Sequence, residues 1–156
     1  MLTRQGPVAS DISSITMHGT AVALDGHAAI LRGPSSSGKS SLALHLMALG
    51  CDLICDDQSE VLSDSGHLVV RRPISLPTLI EARHFGLIDV QQSSPARVSL
   101  VVDMVIAEDA RSPEDRTCEI LGQNVPLKQR ADTLHFPYAL FHYLKRQSIL
   151  AMDMDR

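Results

Sequence analysis

The sequence has no tryptophan, and its two tyrosines and three phenylalanines make up only 3% of the chain. Any core built from it must rest on Leu, Ile, Val, Ala and Met. Basic charge is not in excess either: 14 Lys and Arg stand against 18 Asp and Glu, for a net charge of −4. General binding to a phosphate backbone needs a basic face, so no nucleic-acid partner is expected. Cysteine is scarce. Cys51, Cys55 and Cys118 are odd in number and lack the paired spacing of a zinc site, so they read as small buried hydrophobes of a reduced protein. No apolar run approaches the roughly 20 residues that span a bilayer. The N-terminus lacks the continuous apolar stretch of a signal peptide, being interrupted at Asp11. A soluble, cytoplasmic protein with no membrane partner is the expectation. The 156 residues, 44% hydrophobic and 21% charged, have the size and composition of one globular domain.

The polar segment 1–14 reads as a lead-in, and 15–156 as the domain. Met17 to Leu24 and His27 to Leu31 are strand-like around Asp25-Gly26, a strong hairpin signal. After a Gly- and Ser-rich loop, Leu42, Leu44, Leu46, Met47 and Leu49 mark a helix of about three turns closed by Gly50. Short strands are expected at Leu53–Cys55, Ser59–Leu62, Leu68–Arg71 and Leu87–Val90. Val98–Ile106 is apolar enough to be central in a sheet. Thr117–Leu121 and Val125–Leu127 suggest another hairpin, and Pro137 opens a final helix over Tyr138–Leu150. The fold class is α/β, with a sheet of mixed direction and few helices. The regular strand-helix alternation of a dinucleotide-binding fold is missing.

The loop itself is Gly33-Pro34-Ser35-Ser36-Ser37-Gly38-Lys39-Ser40, a P-loop placed between a strand and a helix as that motif requires. Gly33 and Gly38 let the backbone turn successive N–H groups inward, and the helix aims its positive end at the same point. Lys39 reaches the terminal phosphates and the Ser40 hydroxyl joins a Mg²⁺ shell. The ligand implied is a nucleoside triphosphate, ATP with Mg²⁺.

A P-loop enzyme usually sets an aspartate at the end of a buried strand, on or near the metal. Leu53-Ile54-Cys55-Asp56-Asp57 and Leu100-Val101-Val102-Asp103 both qualify, and pattern does not choose between them. In the first, adjacent carboxylates on an extended chain point to opposite faces, so only one would look into the site. That one could accept the proton of an attacking hydroxyl. Glu81 and Arg83, two apart on an extended segment, share a face; they are either a metal-and-phosphate pair or an exposed ion pair. His18 alone carries no assignment.

Together these pieces resemble the catalytic domain of the HPr kinase/phosphorylase family, which uses ATP to phosphorylate a serine of HPr, the phosphocarrier of the sugar phosphotransferase system. The resemblance runs from Met17 to Val90 through His18-Gly19, the P-loop, the helix ending at Gly50, Leu53 to Asp57, and Glu81-x-Arg83-x-x-Gly86-x-Ile88-x-Val90. It implies a P-loop kinase domain of the phosphoenolpyruvate-carboxykinase-like type. Lys39 and the P-loop amides would bind ATP phosphates, and Ser40 and Glu81 would hold Mg²⁺. Asp57 would be the catalytic base, with Asp56 beside it as the other candidate. His18 matches a catalytic histidine, and Arg116 stands where a catalytic arginine is expected. His84 replaces a usual Gly and Ser41 a usual Glu. No counterpart of the loop tied to phosphorylase activity stands near Arg130, so kinase activity rather than dephosphorylation is expected. The resemblance also implies a short form without the N-terminal domain of longer members, and a homo-oligomer, commonly a hexamer.

Two other functions fit the same motifs: a P-loop kinase for a small molecule, and an ATP-sensing module without turnover. The C-terminal aromatics Phe136, Tyr138, Phe141 and Tyr143 fit a helix packed on the sheet, or a docking helix for a protein substrate.

Overall fold

In the computed structural model, which describes residues 13–154, the elements run in chain order as follows. Strands β1 (Ser14–Leu24) and β2 (His27–Arg32) precede helix α1 (Lys39–Leu49). Strands β3 (Asp52–Cys55), β4 (Gln58–Asp64), β5 (His67–Arg71), β6 (Leu79–Ala82), β7 (Gly86–Asp89), β8 (Ala96–Ala107), β9 (Arg116–Ile120) and β10 (Gln123–Arg130) come next, and helix α2 (Phe136–Met154) closes the series.

Three Xaa-Gly pairs set much of the strand pairing. Asp25-Gly26, Ser65-Gly66 and Leu121-Gly122 each place two left-handed residues in succession, with φ of 50° and 82°, 50° and 81°, and 49° and 77°. Two consecutive positive φ values are what a type I′ hairpin turn needs, and its twist matches that of the strands it joins. The hairpins β1–β2, β4–β5 and β9–β10 follow, with closing pairs Leu24↔His27, Asp64↔His67 and Ile120↔Gln123.

Eight strands form one mixed sheet. β1 pairs with β2 over Gly19–Leu24 and with β4 over Ser14–His18, and β3 joins it at Ala21–Ala23. β8 is the centre, parallel to β2 and β10 and antiparallel to β5. Because β2 and β5 both reach β8, the path β2–β1–β4–β5–β8 closes on itself and the sheet curls. The mixed direction, the scarcity of helices and the central place of Val98–Ile106 agree with the sequence. Among the described residues no helix is long and apolar enough to cross a membrane.

The curl explains the continuous apolar runs, since both faces of the central strands are covered. Ala28 and Ile30 of β2 point to a cluster inside the curl with Ala21, Val61, Val70 and Val101. Ala29 and Leu31 point the other way, to a second cluster with Leu42 and Leu46 of α1 and Leu140 and Leu144 of α2. Each such fully buried Leu is worth about 1.5–3 kcal/mol of transfer free energy.

α1 ends as its glycine requires. Gly50, at φ 122°, donates to the Met47 carbonyl at 3.1 Å, and Cys51 to that of Leu46 at 3.0 Å, the paired bonds of a Schellman cap. α2 begins two residues earlier than expected and runs four further. Pro137 falls inside its first turn, where its missing N–H has no intrahelical partner to lose. The pattern did not foretell β6, which is only four residues long and joins β7 in a separate two-stranded sheet. The lead-in expected at 1–14 lies outside the described residues except for Ser13 and Ser14, and Ser14 is already part of β1, paired with Leu62 of β4.

Candidate functional site

The P-loop leaves β2 at the carboxyl edge of the parallel strands, with Arg32 level with Asp103 of β8. Parallel strands followed by a helix commonly present ligands at this edge. The turn is tight at Gly33, where φ is 154° and a Cβ would stand 2.7 Å from Ser37 Oγ and 3.1 Å from Met104 Cβ. Gly38, at φ 93°, begins α1 without a side-chain cap, and no acidic residue occupies the first turn. The N–H groups of that turn are thus free of a competing carboxylate. Lys39 is buried, its Nζ donating to the carbonyls of Gly33 at 2.5 Å and Pro34 at 3.0 Å. Ser37 Oγ is buried without a hydrogen-bond partner. A curled glycine loop, a fixed ammonium and an orphaned hydroxyl suit a bound phosphate chain.

Beside the loop opens a cleft of about 420 Å³. Ser35, Ser36, Gly38, Lys39, Ser40 and Ser41 form one wall, and Asp56, Asp57, Glu81 and Arg83 the other. Ser40 Oγ donates to Asp56 Oδ1 at 2.9 Å, and so does Thr20 Oγ1 at 2.9 Å. Of the two aspartate segments, only that of β3 meets the P-loop serine. Asp103 bonds instead to Arg32 Nη2 at 3.2 Å and to the Val105 N–H at 2.9 Å.

Asp56 and Asp57 do not point to opposite faces as an extended chain would send them. β3 ends at Cys55, and Asp57 adopts φ 68°, so both carboxylates border the same cleft. The Asp57 N–H donates to Thr20 Oγ1 at 3.2 Å, and its Oδ1 lies 2.9 Å from His18 Nε2. His18 and Thr20 are two apart on β1 and so share a face. Sequence reasoning passed over Thr20, which is fully buried between the acid pair and the strand. Its signal was the every-second polar residue along β1, Ser14, Thr16, His18 and Thr20, of which the last two reach the site.

Glu81 and Arg83 both line the cleft, but through a hairpin rather than a single extended segment. β6 stops at Ala82, and Arg83 and His84 make the turn into β7. The Glu81 N–H points to Asp56 Oδ2 at 3.4 Å, and Arg83 Nη2 donates to Ser36 Oγ at 2.8 Å, tying the hairpin to the P-loop. His84 takes φ 67°. Among the described residues no group of three or more His, Cys, Asp or Glu side chains forms a ready metal cage. That is compatible with Mg²⁺, which keeps waters and leans on one or two carboxylates and the phosphates. Behind the acids, burial pushes the Cys55 thiol up to about 11, consistent with a packing role. Arg116 is not among the lining residues; its guanidinium is bound to Glu108, and this pairing holds the Glu108 carboxyl below its usual range.

A family model described as HPr Serine kinase C-terminal domain matches residues 11–131. The chain belongs to this family. It is 34% identical over 125 residues to the HPr kinase/phosphorylase of Caldicellulosiruptor bescii, covering 72% of this chain and 40% of that protein. With the HPr kinase/phosphorylase of Exiguobacterium sibiricum the identity is 30% over 151 residues, covering 81% of this chain and 49% of the other. The chain thus spans less than half the length of both relatives. The solved structure of the Hpr(Ser) kinase/phosphatase from Coxiella burnetii superposes with a TM-score of 0.71 at 26% identity, over 89% of this chain and 93% of that one. The HPr kinase family resemblance read from Met17 to Val90 and the fold it implied are therefore both met.

Proposed function

We propose that this chain is an ATP- and Mg²⁺-dependent kinase that phosphorylates a serine of HPr or a related phosphocarrier protein. The observation that carries the reading is the division of labour within the acid pair. Asp56 is held by the P-loop Ser40, while Asp57 faces His18 across the same cleft. Family membership supports the substrate, since the relatives bear the name HPr kinase/phosphorylase.

In this reading the P-loop amides and Lys39 bind the phosphates of ATP, and Ser40, Asp56 and Glu81 hold Mg²⁺. The bound metal supplies positive charge against the terminal phosphates. The acceptor serine hydroxyl attacks the terminal phosphorus in line as Asp57 takes its proton, and ADP leaves with the bond it loses. His18 orients the Asp57 carboxylate. Arg83, fixed on Ser36, adds a cation at the mouth of the cleft. Arg116, engaged by Glu108, has no part in this step. Phe85 and Leu87, 82% and 67% exposed on the adjoining hairpin, favour a protein acceptor over a small molecule. A cytoplasmic homo-oligomer, with a hexamer as the family's common form, completes the proposal; dephosphorylation is not part of it.

The test is transfer of labelled phosphate from ATP to purified HPr. Wild type should label HPr in the presence of Mg²⁺, and Asp57→Asn should lose at least about a hundredfold in rate, the usual weight of a general base. Full activity in Asp57→Asn would sink the assignment of the base, and no labelling of HPr by wild type would sink the substrate.

A further inference from the structure

The β6–β7 hairpin forms a sheet of its own, two strands of four residues each. So small a hairpin is marginal unless something fixes it. Ile80 is fully buried, and Ile88 and Val90 pack on the cluster shared with α1 and α2. Apolar burial of this kind has no direction, so it holds the hairpin down without setting its exact place. Polar ties do that. At the tip, Arg83 is bonded to Ser36 at 2.8 Å. At the base stands Arg72.

Arg72 follows the last residue of β5 and opens the segment 72–78 that leads into β6. The Leu76 N–H donates to the Pro73 carbonyl at 3.0 Å, closing a turn. Nη1 of Arg72 donates to the carbonyls of Pro73, at 3.3 Å, and of Leu76. One guanidinium nitrogen thus grips both ends of the turn. Just beyond it, the Thr78 carbonyl accepts from the Val90 N–H at 3.0 Å and closes the hairpin at its base. The Arg72 Nε is buried with no hydrogen-bond partner among the described residues. A buried donor left unpaired costs stability, so the surroundings of the stem do not by themselves call for an arginine. The cation also stands near the acid pair. Burial raises the Cys55 thiol, and the Arg72 charge opposes that shift, one residue before Asp56.

We propose that Arg72 is a positioning residue, whose grip on the 73–76 turn sets where β6 presents Glu81 against Asp56. The proposal rests on the reading in which these two carboxylates hold Mg²⁺. Glu81 lies between the two ties, after the Arg72-held turn and before Arg83. Its own backbone link to Asp56, N–H to Oδ2 at 3.4 Å, is too long to fix the strand. Mg²⁺ demands near-ideal octahedral geometry with oxygens at roughly 2.0–2.1 Å. A strand displaced by a fraction of an ångström is therefore felt at the metal.

Amide hydrogen exchange of the free protein and Mg²⁺ titration of ATP binding test this on Arg72→Met, which keeps the stem and removes the grip. The Val90 amide should exchange at least about tenfold faster than in wild type, with β8 amides unchanged. Half-saturation of ATP binding should need at least about threefold more Mg²⁺, while the metal-free affinity for ATP stays within about twofold. Arg71→Met, which breaks the exposed pair with Glu60, is the control and should change neither. Arg72→Lys keeps the charge without the planar fork. It should show the same changes to a smaller extent, and it covers the case in which the methionine variant does not fold. Val90 exchange as slow as in wild type overturns the proposal, and so does faster exchange there with an unshifted Mg²⁺ midpoint. Equal acceleration of the β8 amides would make Arg72 a residue of global stability and also overturns it. An absence of Mg²⁺ dependence in wild type removes the metal reading, and this proposal with it.

Discussion

The Ser40 hydroxyl donates to Asp56 Oδ1 across 2.9 Å, joining the first turn of α1 to the end of β3. These two oxygens come from sequence-distant segments, and in the proposed function both residues would hold Mg²⁺. In the proposed kinase Ser40 would be one of the metal's ligands, so removing its hydroxyl takes that ligand away and frees the Asp56 carboxylate to move. In Ser40→Ala, ATP binding should need about tenfold more Mg²⁺ for half-saturation, while the metal-free affinity for ATP changes little. Titrating Mg²⁺ at fixed ATP reads this directly, and an unshifted midpoint would remove Ser40 from the metal shell.

Thr20 ties the two aspartates together, donating to Asp56 Oδ1 at 2.9 Å and accepting from the Asp57 N–H at 3.2 Å. Thr20→Val keeps the shape of a fully buried residue, leaves the part-buried Asp57 N–H without its acceptor and takes a donor from Asp56. The cost should be about 1–3 kcal/mol in urea unfolding. Phosphate transfer should fall more than stability accounts for, because Asp57 then loses the contact that fixes its left-handed backbone. Wild-type kcat in a folded Thr20→Val protein would show that His18 alone positions the Asp57 carboxylate.

How much of this was legible beforehand follows a physical line. The hairpins at Asp25-Gly26 and Leu121-Gly122 and the Gly50 cap are local backbone demands, and residue type reveals them. The central β8 was visible because both its faces are covered. The four residues of β6 were not, since so short a strand has no period to count and its only strand partner among the described residues is β7. At the site, the P-loop and its helix could be read from order alone. The choice between Asp56 and Asp103 could not, because both end apolar strands, and only the fold shows that Arg32 takes one and Ser40 the other. The opposite-face expectation for Asp56 and Asp57 failed at one dihedral angle, the φ of 68° at Asp57.

The same kind of angle bears on His84. Its φ of 67° lies in the left-handed region, which Gly adopts freely and side chains such as Asn, Asp and His enter at some cost. His84→Gly should leave phosphate transfer within about threefold of wild type. Its relief of strain, roughly 1 kcal/mol, is offset by the greater freedom of glycine in the unfolded chain. His84→Val forces a β-branched residue into the same turn, displaces Arg83 from Ser36, and should raise KM for ATP or for the acceptor. Equal kinetics for the two variants would mean that the hairpin does not hold the cleft wall.

Cys51 and Cys55 contribute to the pH dependence of stability on the alkaline side. Burial raises both thiols from 9.0 to about 11, with Asp52 adding to the effect at Cys51. In the unfolded chain each begins to lose its proton near pH 9, while in the folded chain each keeps it until about pH 11. The unfolded state therefore binds fewer protons across this window, so stability falls as pH rises through it and is fully present below pH 9. Chemical denaturation at intervals from pH 8 to 11 should show the midpoint declining over this range. Cys55→Ala should flatten part of the decline, at the expense of some packing at neutral pH. A thiol reagent at pH 8 should label both positions slowly in the native protein and fast in denaturant. Rapid native labelling of Cys55, which bonds to Ser59 Oγ at 3.0 Å, would show that the strand bearing the acid pair opens readily.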